Sequence, residues 1–326
     1  MPETVTEKTR TDRARKRNLL RRVRRQRLKY ITILPSLITL LNGVCGFAAI
    51  SFASKGTATF SFHKLDLPYL AWAGYLIFIA MIADMLDGRV ARMSQTTSSF
   101  GGQLDSLCDI VSFGVAPAFL VMKIFEYKVT EFADSVLISD FLSRLIWLAA
   151  AAYVACAAIR LARFNVENEE DETTHMSFMG LPTPAAAGVL ASLVVFHQYL
   201  IQIQNELPNS LFNITENAIV YSLPFIAIGI SLLMISRIRY SHFINKYLKG
   251  RKPVTHLLWA IAIIGLISLC NLQSALVIFF CGFALSGFLK WFYYKVLVPK
   301  TPIQNNGDLP ILGLANNSTV RQDPTQ

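Results

Sequence analysis

PYLAWAGYLIFIAMIADMLDGRVARMSQTTSSFGGQLDSLCDIVSFGVAPAFLVMKIF, residues 68–125, holds two apolar runs separated by a short polar link. An apolar run of about 20 residues crosses the hydrocarbon of a bilayer as a helix. The link, Ser94–Ser99, is too short for anything but an antiparallel return, so the two helices are neighbours. Runs of similar length recur along the chain at 31–53, 68–92, 103–125, 141–164, 183–203, 217–236, 254–271 and 273–297, with a very short turn between the last two. Of the 326 residues, 53% are hydrophobic and 16% charged, against roughly 45–50% and about 25% in soluble domains. The expected fold is all-α: a polytopic transmembrane bundle of about eight spans.

Three regions follow from this reading. Residues 1–30 form a basic arm, 31–298 a membrane domain, and 299–326 a polar tail, rich in Pro, Asn, Gly and Thr, expected to be disordered. The first apolar run lacks a small-residue cleavage site and reads as a retained span. The five cysteines lie inside apolar runs without metal-finger spacing and read as packing residues. The net charge of +10 is concentrated between Lys8 and Lys29, with further groups at Arg237–Lys252 and Lys290–Lys300. Placing the arm in the cytoplasm puts nearly all of this charge on one side, as the positive-inside rule requires, with both termini there and the cell (inner) membrane as the location. An arginine-rich arm also suits nucleic acid. This one abuts the first span, where anionic lipid headgroups account for it at about 1 kcal/mol per nearby charge, and no nucleic-acid role is expected.

Four aspartates mark the link. Residues three or four apart share a helix face, so Asp84 stacks with Asp87 and Asp105 with Asp109, and both pairs can face one cleft. Two carboxylates about 4 Å apart repel by roughly 4 kcal/mol at an effective dielectric of 20. Oxygen ligands without His or Cys partners suit hard divalent cations, Mg²⁺ or Mn²⁺, and two such ions form a clamp for displacement at phosphorus. A structural salt-bridge belt with Arg89 and Arg92, or a cation pathway through a transporter, would also use these residues. Gly88, Gly101 and Gly102, with Ala91, favour a ligand, because small residues let a bulky group approach backbone. Arg92 offers a fork suited to a diphosphate.

Written as Asp84-x2-Asp87-Gly88-x2-Ala91-Arg92-x8-Gly101-x3-Asp105-x3-Asp109, the stretch resembles the signature of the CDP-alcohol phosphatidyltransferase family, with all eight fixed positions present. At about 6% per residue type, such a match arises by chance roughly once in 10¹⁰ starts. Four further segments resemble the branch of that family that uses serine: Leu34–Gly46, Asp105–Pro117, Arg160–Asn165 and Gly180–Gly188. Ser36 departs from the Asn common there. The matches cover about residues 31–190.

The resemblance implies a six-helix core, Asp84, Asp87 and Asp105 as metal ligands with Asp109 near a second ion, and a CDP pocket lined by Asp84, Gly88, Ala91, Arg92 and Gly101. It implies Asp109 as general base, CDP-diacylglycerol as donor and L-serine as acceptor, giving phosphatidylserine and CMP. Arg160 and Arg163, at the end of the fourth run, and Asn42 in the first are candidates for serine contact; the arginines equally suit the diphosphate or lipid phosphates as snorkelling anchors, and Asn42 an interhelical hydrogen bond. Other alcohols (inositol phosphate, glycerol 3-phosphate, choline) remain alternative acceptors, and a cation-coupled transporter the alternative of another class. His175 alone among the histidines borders the site in this reading. Trp291–Tyr294 reads as an interfacial belt. Ala149–Ala152 suits close helix packing or the seam of a homodimer.

Overall fold

The computed structural model describes residues 36–56, 58–62, 65–94, 99–132, 136–170, 180–236, 238, 253–293 and 295. The basic arm, the polar tail, His175 and the Arg237–Lys252 charges lie outside them. The side chains of Ala91, Arg92 and residues 253–270 are likewise outside the description.

The chain is a helix bundle. Helix α1 is Ser36–Ala53. A two-stranded antiparallel hairpin follows, β1 Thr59–Phe62 and β2 Leu65–Pro68, and then α2, Tyr69–Ser94. Helix α3, Ser99–Asp109, runs through a π-helical stretch, Ile110–Val115, into α4, Ala116–Phe132. Helices α5 (Val136–Glu170), α6 (Thr183–Gln202), α7 (Asn209–Ile235) and α8 (Pro253–Phe292) complete it. Seven helical segments among the described residues are long and apolar enough to span a membrane. Tyr69–Val90, Asp140–Val166 and Thr183–Gln202 lie within two residues of the predicted spans at both ends; Ser36–Ala53 opens at the first described residue, Phe100–Lys128 extends three residues further at each end, Asn209–Ile235 begins eight earlier, and Asn271–Phe292 ends five short.

Interhelical contacts give each helix its direction. Asn42 near the start of α1 meets Asp109, Ser106 in α3 meets Asn165 late in α5, and Gly180 before α6 bonds to Ile238 beyond α7. These contacts mark one end of the bundle. At the other, Lys128 of α4, His197 of α6 and Glu216 of α7 converge, and Asn271 bonds to Tyr199. The helices therefore alternate in direction. Ile238 and Asn271 sit at opposite ends, and the helix over 253–270, about 27 Å at 1.5 Å per residue, is long enough to cross the bundle. Within α8 only Asn271 is non-helical, with φ 58° and ψ 155°. Asn tolerates positive φ better than most residues, and this residue is the short turn expected between the last two runs.

Helix α6 is the centre. Of its span, 72% is buried, against 17% of the span at Asn271–Phe292. The exposed Leu, Ile and Phe side chains of the outer helices, such as Phe225, Leu232 and Ile278, then form a lipid-facing surface. Close approach of α1 to the π-helical stretch depends on Gly46, where any Cβ would collide with Ser112. Gly180 has φ +84°, and a Cβ there would collide with the Met234 carbonyl. That glycine lets the backbone before α6 bond to the end of α7, Gly180 N–H to Ile238 O at 2.8 Å and Leu181 N–H to Leu233 O at 3.1 Å.

The hairpin was not anticipated. Its four-residue strands pair Thr59 with Pro68 and Phe62 with Leu65. Phe52, Phe60, Tyr69 and Trp72 pack ring to ring around it, with the Lys55 ammonium 4.9 Å from the Tyr69 ring centre. This aromatic group closes the end remote from the aspartates.

Charge is also buried at that end. Lys128 Nζ lies 2.6 Å from Glu216 Oε1, and His197 Nε2 lies 3.6 Å from the same oxygen. The group joins α4, α6 and α7 through one carboxylate, and removing one member of a buried pair strands the other. Glu216→Ala should cost about 3–5 kcal/mol in detergent unfolding experiments; a loss below about 1 kcal/mol would show that the three side chains are not a structural tie.

Candidate active site

The acidic site forms where α2 ends and α3 begins. A continuous helix over Tyr69–Ser94 carries Asp84 and Asp87 one turn apart, and α3 does the same for Asp105 and Asp109. One carboxylate oxygen from each of Asp84, Asp105 and Asp109 lies within 4.8 Å of the others. Asp87 stands beside this triple, close enough to interact electrostatically with Asp84 and Asp105. It is 5% exposed and accepts a hydrogen bond from the Thr39 hydroxyl. Of the four aspartates expected to share one cleft, three converge from the two neighbouring helices and Asp87 stands beside them.

The oxygens suit a cation. Asp105 Oδ1 and Asp87 Oδ2 are buried without a hydrogen-bond partner. An unsatisfied buried carboxylate oxygen costs free energy, and oxygen donors alone select hard divalent metals. The residues present therefore fit a divalent ion, with Asp84, Asp105 and Asp109 the group able to hold it. Arg89, the described half of the salt-bridge alternative, is exposed while Asp87 is buried. A Cβ added at Gly88 or Gly102 would meet nothing within 4 Å, so open space borders the cluster beside two of its small residues. Gly101, partly buried, lies in the first turn of α3, inside the helix rather than ahead of it.

The remaining contributors come from α1 and α5. Asn42 is fully buried, and its Nδ2 donates to Asp109 Oδ1 at 2.8 Å. Ser106 Oγ accepts from Asn165 Nδ2 at 2.8 Å and donates its one proton to the Gly102 carbonyl at 3.1 Å, with Asn165 Oδ1 also 3.1 Å away. This contact brings the segment holding Arg160 and Arg163 against α3; both arginines are partly buried. Immediately after Asp109 the helix widens into its π-helical stretch, a feature frequent at functional sites. Tyr153 Oη donates to the Phe113 carbonyl there at 3.0 Å, and Ser112 Oγ to the Asn42 carbonyl at 2.8 Å.

Sequence reasoning identified the aspartates but missed what holds them. Asn42, a candidate for serine contact from the sequence, bonds to Asp109, and Thr39 bonds to Asp87. Their spacing of three residues, one helix turn, was the available signal. Ser106 and Asn165 lie in segments noted separately, and nothing in either announced that they meet.

Comparison with known proteins agrees with this geometry. The family model described as CDP-alcohol phosphatidyltransferase matches residues 32–225. A CDP-diacylglycerol–serine O-phosphatidyltransferase of Methanocaldococcus jannaschii is 36% identical over 219 residues, covering 67% of this chain and 78% of that protein. One from Helicobacter pylori strain 26695 is 30% identical over 268 residues, 82% of this chain and 94% of its own. One from Bacillus subtilis is 30% identical over 210 residues, 64% of this chain and 90% of its own. A matched acidic signature, a spanning bundle around it, and a family match over more than half the chain settle the choice between transferase and transporter: this chain belongs to the CDP-alcohol phosphatidyltransferase family.

Proposed function

We propose that this enzyme transfers the phosphatidyl group of CDP-diacylglycerol to L-serine, giving phosphatidylserine and CMP. The observation that carries the chemistry is the three-carboxylate group of Asp84, Asp105 and Asp109, whose oxygens lie within 4.8 Å of one another beside open space at Gly88. The serine acceptor is supported by the names of the relatives in archaea and bacteria.

Asp84, Asp87, Asp105 and Asp109 would hold Mg²⁺ or Mn²⁺, two ions in this reading. Such ions supply charge neutralisation for a diphosphate and its departing CMP. The protein's own groups do the rest. Gly88, Ala91, Arg92, Gly101 and Asp84 line the CDP pocket, and the acyl chains lie between helices. Asp109 accepts the proton of the serine hydroxyl as its oxygen bonds to the β-phosphorus and the bond from that phosphorus to CMP breaks. A free hydroxyl is a weak nucleophile at neutral pH, which is why a base within hydrogen-bond reach is required. Arg160 and Arg163 hold the serine carboxylate. The site faces the cytoplasm with both termini, in a cell membrane whose anionic lipids attract the basic arm, and the enzyme is a homodimer.

CMP release from CDP-diacylglycerol in detergent tests this, with serine, inositol phosphate, glycerol 3-phosphate and choline offered in parallel. Turnover is expected with serine. Preference for another alcohol would reassign the acceptor, and no turnover with any would defeat the reading. In the same assay, Arg160→Ala and Arg163→Ala should raise the KM for serine roughly ten- to hundredfold, the range for losing a charge-assisted hydrogen bond. An unchanged KM removes the carboxylate contact.

A further inference from the structure

Asp109 can act as a base only if its carboxylate is turned toward the acceptor hydroxyl, and we propose that Asn42 is the positioning residue that turns it. The inference rests on the phosphatidyl-transfer reading and adds to it a residue on α1, outside the signature. Asn42 Nδ2 donates to Asp109 Oδ1 at 2.8 Å, and Asn42 is fully buried. The amide can face the carboxylate only with its nitrogen, because its oxygen would be repelled. Pinning Oδ1 fixes the plane of the carboxylate and leaves Oδ2 as the oxygen that takes the proton.

Asn42 is itself held. Its backbone carbonyl accepts from Ser112 Oγ at 2.8 Å, and Ser112 is fully buried three residues beyond Asp109. Two hydrogen bonds therefore join one residue of α1 to successive turns of the helix that carries the base. One turn further along α1, Gly46 permits the contact with Ser112. From α5 Tyr153, fully buried, bonds to the Phe113 carbonyl in the same π-helical stretch. The backbone on both sides of the Asp109–Asn42 pair is thus tied by Ser112 and Tyr153, the Asn42 amide oxygen being buried without a further partner, an arrangement that keeps a reacting group near its productive geometry.

The test is steady-state kinetics of Asn42→Ala and Asn42→Leu beside wild type, with CDP-diacylglycerol and serine varied separately. The leucine variant keeps most of the side-chain volume, and retained CDP-diacylglycerol binding certifies the fold. We expect kcat to fall roughly ten- to hundredfold, with both KM values within about twofold of wild type. In an Asp109→Asn background, adding Asn42→Ala should change the residual rate by less than about twofold, because the effect passes through the base. An unchanged kcat in a variant that binds CDP-diacylglycerol would overturn the proposal. So would a raised KM for serine at preserved kcat, which would make Asn42 a substrate contact, or losses that multiply in the double variant. A wild-type enzyme inactive with every acceptor defeats the underlying reading instead, before Asn42 is reached.

Discussion

Asp109→Asn should lower turnover by about two to four orders of magnitude, the usual contribution of a positioned general base, while CDP-diacylglycerol binding stays measurable. The substitution is nearly isosteric at a site 8% exposed, so packing against α1 is retained. The amide keeps an oxygen to accept from Asn42 Nδ2 but can no longer take a proton. The loss therefore belongs in kcat, since a group that acts in the transition state lowers turnover without weakening ground-state binding. Titrating the variant with CDP-diacylglycerol and measuring CMP release under saturation separates the two quantities. Full activity would remove Asp109 as the base and leave it as a ligand at most. Loss of lipid binding along with turnover would point instead to collapse of the acidic site.

The second large effect concerns the ions. Chelation by EDTA should abolish CMP release, and Mg²⁺ or Mn²⁺ should restore it. A readout independent of activity is thermal unfolding in detergent. A ligand present at about 100 times its Kd stabilises by roughly 2.7 kcal/mol, so adding Mn²⁺ to the stripped protein should raise its Tm. Asp84→Ala and Asp105→Ala should lose that rise, because each removes one of three oxygens that lie within 4.8 Å. The same variants relieve a mutual repulsion of roughly 4 kcal/mol per close pair at an effective dielectric of 20. In the absence of metal they should be at least as stable as the stripped parent, and this reversal of sign is a distinctive mark of a metal site. Activity that survives chelation, or a Tm indifferent to Mn²⁺, would remove the metal role from the cluster.

What could be read from the chain alone is what depends on near neighbours. Apolar runs of about 20 residues announce spans, because a backbone in hydrocarbon must satisfy its hydrogen bonds within one helix. The one-turn spacing of Asp84 with Asp87 and of Asp105 with Asp109 puts each pair on a face, and the short link makes the two helices neighbours. The convergence of the aspartates followed from these local facts. The turn at Asn271 was legible as a polar break between two apolar runs, although its confinement to one non-helical residue was not.

Contacts between helices distant in sequence were decided only by the fold. Asn42 meets Asp109 across 67 residues, and Ser106 meets Asn165 across 59. Apolar periodicity does not state how far a helix is rotated or how closely it approaches its neighbour, and a membrane helix with lipid around it shows little amphipathic pattern to reveal either. Here those quantities depend on small residues such as Gly46, on the widened turn after Asp109, and on the charges gathered at Glu216. The sequence by itself determined which side chains supply the acidic site. Tertiary packing alone decided which partners aim them, because rotation and approach are set by the fit of whole helix surfaces.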